Sequence, residues 1–559
     1  MRQMVSRMYA NFRGVDFRGE DINFARSPDS KNVWKDYRKI DSIRTRPGMK
    51  LVQQASGAIC GLYFFKGELL ALIQGKGLYR LKTGRLEAVY TSNQVKAGTK
   101  TNVFVFDDVL YIMGNGHHYK YTGESAIPVD CYVPTTTIGR KPSGGGTIHE
   151  DVNLATYRRK NTFLADDVST EFYLDAQNID EVHSVKVNGN EWLTKEYTVD
   201  KERGCVVFAY PPPPPSTDGQ DNVEVEFSKI HNGRDKILNS TICEVFDNRV
   251  FVGGNPDYPN TIWHCSINDP SYFSDLDYYK EGLDEARVTG MVAGNNALWV
   301  FREPSPANTT VFYHVPTIDA DYGKIYPSQH SSVATGCIGG AINFNDDIVF
   351  FSDRGMEGIS GDITTEQVVA HRSTLVDRKL NAEKKYREMI LAEWEGYLVV
   401  FMGNKAYLAD SRAMLPNENH TEYEWFYWEL EKDVTCAVVH EGVLYVGTRD
   451  GGIYSFTDEE AAVESYWTTP KDKFNFPHKL KTSNKRGCVA EATGDIQVYA
   501  KVEDTDYELI GEYKDVEDYF VSRIKRKKFK DIQLKFYSQT RFSLETVTLE
   551  CFIGGYIKR

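Results

Sequence analysis

The feature that most constrains this chain is a turn that recurs. An apolar strand, a tight polar turn, a second apolar strand, another turn and an aromatic-rich strand follow one another in "LYFFKGELLALIQGKGLYRL". The same order returns in "VFVFDDVLYIMGNGHHYKY", "EVFDNRVFVGGNPDYPNTIWHC", "MVAGNNALWVFREPSPANTTVFYH", "AINFNDDIVFFSDRGMEGIS", "AEWEGYLVVFMGNKAYLAD" and "AVVHEGVLYVGTRDGGIYSF". Anchored on Gly67, Asp107, Asp247, Asn295, Asp346, Gly396 and Gly442, the successive spacings are 40, 140, 48, 51, 50 and 46 residues. The outlier exceeds its neighbours by about 90 residues and marks an insertion between the second and third copies.

Seven units of this length, each reading as three or four antiparallel strands, predict an all-β fold: a β-propeller of about seven blades, with six or eight as the alternatives. A single blade cannot bury both faces of its sheet, so its neighbours must cover it. Two large β-sandwiches are the competing architecture. The 34 Tyr and 29 Phe suit pleated, half-buried surfaces. One long helix is expected near 374–388, where Leu375, Val376 and Leu380 form a helical stripe in "STLVDRKLNAEKKYREM". "MKLVQQ", just after Pro47-Gly48, is placed to complete the last blade from the other end of the chain.

These signals divide the chain into an N-terminal arm (1–49), a propeller (50–130 and 235–470), an insertion (131–234) and a C-terminal antiparallel β domain (471–559). The insertion opens with "YVPTTTIGRKPSGGGTIHEDVNL", whose centre reads as a flexible polar linker. Four alternating strands follow it, with Asn188-Gly189 as a hairpin turn and Pro211 to Pro215 as a stiff connector, giving a small β-sandwich. In the C-terminal domain, Arg523, Lys525, Arg526, Lys527, Lys528 and Lys530 make the densest basic run of the chain. Like charges packed on one strand mean a solvated face or an acidic partner opposite.

No sequence pattern asks for catalysis. The P-loop, the dinucleotide-binding glycine fingerprint, GxSxG and HExxH are absent. His117-His118 would point opposite ways on a strand, and His231, His264 and His440 are isolated. Asp319 and Asp321 in "TIDADYG" read as a turn rather than a cation site. Asp353, Glu393 and Glu395 are the carboxylates a propeller hydrolase could gather at one mouth, yet the sialidase-type box is missing. No metal and no cofactor is therefore expected. Nine scattered cysteines without a CxxC read as reduced thiols, so the sequons at Asn239, Asn308 and Asn419 carry little weight. No apolar run approaches the roughly 18 residues of a membrane span, and "MRQMVSRMYANFRG" has no apolar core of an export signal. A net charge of -13 argues against a protein that grips nucleic acid over its whole surface.

The opening "SPDSKN...IRTRPGM" resembles the N-terminal signature of tail nozzle and tail accessory proteins of tailed bacteriophages, the group that includes packaged-DNA stabilisation factors. The linker, the sandwich segment "VKVNG......YTVD....VVF" and the terminal "RIKRKKFKDIQLKF" are similar to further parts of those proteins, so the resemblance covers most of the chain. It implies a non-enzymatic virion protein, made in the host cytoplasm and located in the tail or head-tail connector. Its partners would be other tail or connector proteins, in a homo-hexameric ring with transient, sequence-independent contact with the genomic DNA passing through. Ser27 to Asn32 and Arg44 to Gly48 would pin the propeller's closure. Arg44, Arg46, Pro47 and Gly48, with the basic run Arg523 to Lys530, are the candidate assembly contacts. A glycan-binding propeller at the tail tip and a propeller hydrolase are the rival readings.

Overall fold

The computed structural model describes residues 3–557, apart from 20–21, 39–41, 94, 96–100, 115–116, 308, 321–322, 332, 361–367, 417–420, 460–462 and 526–527. Each recurrent turn joins the first two strands of a four-stranded antiparallel sheet. Its two residues both occupy the left-handed region: Lys66-Gly67, Asp107-Asp108, Asp247-Asn248, Asn295-Asn296, Asn345-Asp346, Glu395-Gly396 and Glu441-Gly442. Two left-handed residues make the turn whose twist matches that of the strands it joins, which is why Gly, Asn and Asp dominate there. The fold is an all-β propeller of seven such blades, with an inserted sandwich and a C-terminal β-sheet.

The chain forms two compact units. In Thr99–Ala334 lie blades two (Asn102 to Pro128), three (Ile242 to Lys280) and four (Val288 to His330), together with the sandwich. In Met1–Gly98 with Thr335–Arg559 lie blades one (Ile59 to Thr91), five (Ala341 to His371), six (Ile390 to Glu429) and seven. Blade seven takes Val434–His440, Val443–Thr448 and Gly452–Thr457 from one end and Gly48–Gln54 from the other, the "MKLVQQ" strand pairing antiparallel as its outer member. Second strands such as Ala297–Arg302 and Tyr397–Met402 are buried along their whole length. Blades five and seven cover the two faces of blade six, and the sequence of Tyr397–Met402 is a continuous apolar run for that reason.

Four expectations are corrected. The helix near 374–388 shrinks to Asp377–Leu380 and a 3-10 turn at Tyr386–Glu388. Leu375, Val376 and Leu380 are buried, but beyond them "NAEKKYRE" puts charges where the apolar stripe would continue, so a longer helix would have no face to bury. The supposed linker is part of the sandwich: Thr135–Arg140 pairs with Thr147–Ile148 and Arg158–Phe163 in a six-stranded sheet opposite a three-stranded one. Its glycines close a wrap around the buried Arg140, which donates to the carbonyls of Gly145 at 2.6 Å and Tyr173 at 2.9 Å. The N-terminal segment supplies Met4–Tyr9, Val33–Lys35 and Ile43–Thr45 to a nine-stranded sheet with the C-terminal strands. The fourth correction concerns the basic run, which is a loop between Tyr519–Ser522 and Ile532–Ser538 and not a strand.

Candidate functional site

The two basic stretches singled out by sequence sit in one unit and meet opposite fates. Around the first, Asn32 is the joint. It adopts a left-handed backbone (φ 59°), and its N–H donates to the Tyr427 carbonyl at 3.0 Å while its own carbonyl accepts from Arg46 N at 2.9 Å. The side-chain amide donates to the Glu464 carbonyl at 2.9 Å. Its oxygen accepts from Glu429 N at 2.8 Å and from Arg46 Nε at 3.1 Å. One residue thus holds the outer strand of blade six, the start of the C-terminal region and the entry to blade seven.

Arg46 is fully buried. Its guanidinium donates to the carbonyls of Pro47 at 2.9 Å and Glu429 at 3.3 Å, and to Glu431 Oε1 at 2.7 Å. Burial lowers its pKa and Glu431 offsets part of that shift. Arg26 makes a second ion pair, two-pronged on the buried Glu424 at 2.9 and 2.7 Å. Gly14 runs so close to blade six that a Cβ would stand 2.3 Å from the Trp425 carbonyl oxygen. Trp34 stacks on Trp394 with ring centroids 5.1 Å apart, and Trp428 Nε1 donates to the Val33 carbonyl at 3.2 Å. Arg44 is half-buried on its strand, and Pro47 and Gly48 are buried. Arg46, Pro47 and Gly48 are therefore not a free patch on this chain, because the fold consumes them.

The loop Arg523 to Lys530 differs. Arg523, Lys525, Lys528 and Lys530 are exposed, and none of these side chains has an ion pair or hydrogen bond among the described residues; Arg526 and Lys527 lie outside the described residues. Phe529, buried, anchors the loop by exchanging backbone hydrogen bonds with Lys481 at 2.8 and 3.0 Å. The Lys481 ammonium is buried too and donates to the carbonyls of Phe476 at 2.6 Å and Lys530 at 2.7 Å. A bulge at 484–487 adds to the cluster: a Cβ on Gly487 would lie 3.4 Å from the Arg523 Cα, and Arg486 beside it is exposed. Nothing in the sequence marks Arg486 as a neighbour of Arg523, because the two are joined only through strand pairing.

The residues considered for chemistry stay apart. Asp353 is in the turn between the second and third strands of blade five, whereas Glu395 is in a first-to-second-strand turn and pairs with Arg38 at 3.2 Å. Such turns lie at opposite ends of a blade, so Asp353 and Glu395 cannot share a mouth. Asp319 sits in a short hairpin, and Asp321 lies outside the described residues. His118 Nδ1 faces Cys131 Sγ at 3.5 Å, but burial pulls the histidine down to about 4 and pushes the thiol up to about 11, leaving a neutral pair. His231, His264 and His440 pack singly against Tyr157, Phe251 and Phe64. Among the clusters the sequence did not mark, His371 lies between Asp377 at 2.7 Å and Glu357 at 3.1 Å. Burial opposes its charge, yet the hydrogen bonds to Asp377 and Glu357 raise its pKa to about 10. Both ring nitrogens are occupied, so it clamps the short helix to blade five rather than moving protons. Among the described residues no group of three or more His, Cys, Asp or Glu is placed to hold a metal ion, and no helix is long and apolar enough to cross a membrane.

Neither a protein-family model nor a curated protein matches this sequence. Among solved structures, the chain is similar to the computationally designed Ika8 protein, 12% identical with a TM-score of 0.35, over 74% of this chain and 99% of that one. BamB from Moraxella catarrhalis is 9% identical with a TM-score of 0.34, over 74% and 97%. The WD40 β-propeller domain of Doa1 is 10% identical with a TM-score of 0.33, over 74% and 98%. Likenesses of this size assign no function.

Proposed function

We propose that this chain is a structural, non-enzymatic component of a tailed-bacteriophage virion, repeated as a six-membered nozzle or adaptor ring of the tail or head-tail connector. DNA passes through that ring, and the net charge of -13 suits a conduit wall that repels phosphate. The observation that carries the reading is where the resembling residues fall. Ser27 to Asn32 and Arg44 to Gly48 are the joint between blade six, blade seven and the terminal sheet, so the signature is the part that ties those two blades to the C-terminal sheet. That leaves the described cations of the basic loop, Arg523, Lys525, Lys528 and Lys530, available to a neighbouring protein. The test is direct: antibody-gold labelling and mass spectrometry of purified particles should find the protein at one end of the tail or connector in about six copies. Particles without it, or turnover of a surface glycan by the purified chain, would reject the reading.

A further inference from the structure

Among the described residues, no element packs on the outer face of the sheet beside the basic loop. Register sets Met8 opposite Thr548, Thr548 opposite Val489, and Val489 opposite Val521, so these four side chains form one row on one face. Met8 is 64% exposed and Val521 45%. Tyr519, two residues along on the same face, is 62% exposed. Asn484 reaches Met4 Sδ at 3.9 Å, which brings the bulge carrying Arg486 to the rim of this face. The face also carries Glu491, which accepts from Thr546, and Glu550, which accepts from Asn484; the apolar row between them, with cations at its rim, has no reason to stay bare.

The other unit carries the counterpart. The outer edge of blade three reads "SDLDYYKEGLDEA", and it exposes Leu283 completely, Leu276 at 68% and Tyr278 at 44%. Around them stand Asp275, Asp277 and Glu285; Lys280 and the exposed Arg287, which donates to Thr241 and Gly254, add two positive charges. Burial raises both Asp275 and Asp277, the latter to about 6; Asp151 adds to each, while Arg249 already offsets part of the rise at Asp277. A cation from outside would offset more of that rise.

From this complementarity we infer that the partner of the terminal sheet's outer face is a second copy of this chain, which docks the outer edge of its blade three there. Leu276, Tyr278 and Leu283 of one copy cover the Met8–Val521 row of the next, and the carboxylates between them meet Arg486, Arg523 and Lys525. The contact joins two different surfaces, so each copy keeps one of each free, the arrangement that generates rings or filaments. This inference rests on the ring reading above and gives it an interface.

A carbodiimide, which links carboxylates to amines with no spacer, tests it on the full-length protein. Equal amounts of unlabelled and nitrogen-15 chain are mixed at about 0.5 mM and cross-linked. The expected products are mixed-isotope peptides joining Lys525, Lys528 or Lys530 to Asp275, Asp277 or Glu285. Leu283→Asp and Val521→Asp, both at exposed positions, should each cut their yield at least tenfold without moving the thermal midpoint. Raising salt from 0.05 to 0.5 M should lower it several-fold. No mixed-isotope products, or products joining other segments, would overturn the interface even if particles contain the protein. Particles lacking the protein would instead reject the virion reading while the cross-links stood.

Discussion

"RTRPGMK" and "RIKRKKFK" are alike on paper, yet Arg46, Pro47 and Gly48 of the first are interior while Arg523, Lys525, Lys528 and Lys530 of the second stay outside. Arg46 finds two backbone carbonyls, an amide oxygen and a carboxylate within hydrogen-bond reach, and a guanidinium with that many fixed acceptors is stable when buried. The four described cations of the loop find no side-chain partner among the described residues. Charge density alone therefore does not separate a structural arginine from a docking one; what separates them is whether the chain itself presents acceptors in the right geometry.

The sharpest way to break this contrast is at Arg46. Arg46→Ala leaves buried acceptors unpaired and is expected to cost about 3 kcal/mol, read as a lower urea midpoint. Arg46→Lys keeps the charge but loses the fork, and should recover less than half. Next comes Asn32: Asn32→Ala loses its hydrogen bonds and strains a left-handed backbone, about 2 kcal/mol in all, whereas Asn32→Gly should be milder by about 1 kcal/mol. If alanine and glycine behave alike, the left-handed joint is not what matters there.

His371 is an intermediate case, charged because two carboxylates hold it. Its folded-state pKa is raised to about 10, so its clamp contributes fully below the ordinary histidine value of about 6.5 and is lost as pH rises towards 10. His371→Gln should cost about 1 kcal/mol at pH 6, and the gap from wild type should close by pH 10. A gap that stays constant across that range would remove the charge from the explanation. The smallest effect belongs to the loop: Arg523→Glu, Lys525→Glu and Lys528→Glu together should change stability by less than about 0.5 kcal/mol.

The blades were legible in the sequence because each is announced locally. Asp247-Asn248 or Glu441-Gly442 writes its left-handed turn into two adjacent residues, and the flanking apolar runs follow. The joint was marked only through the resemblance, at Ser27 to Asn32 and Arg44 to Gly48; its pairings were not legible, since its strands are three residues long and pair far away, Ile43 with Leu544 and Arg44 with Ser543. No local pattern records such a pairing. The same non-locality hid Arg486 beside Arg523; His371 lies close in sequence to Glu357 and Asp377, but no fixed spacing marks a strand residue, its neighbour strand and a following helix as one cluster. The helix stripe at Leu375, Val376 and Leu380 misled because buried apolar spacing occurs wherever a connection crosses a core.

The measurement that bears most directly on the contrast is the copy number of the triple variant Arg523→Glu, Lys525→Glu, Lys528→Glu in purified particles, set beside its thermal midpoint in solution. A docking loop on a finished fold should give an unchanged midpoint and particles that lack the protein and fail to infect. Normal copy number with normal infectivity would make the loop a solvated surface and contradict its role in assembly.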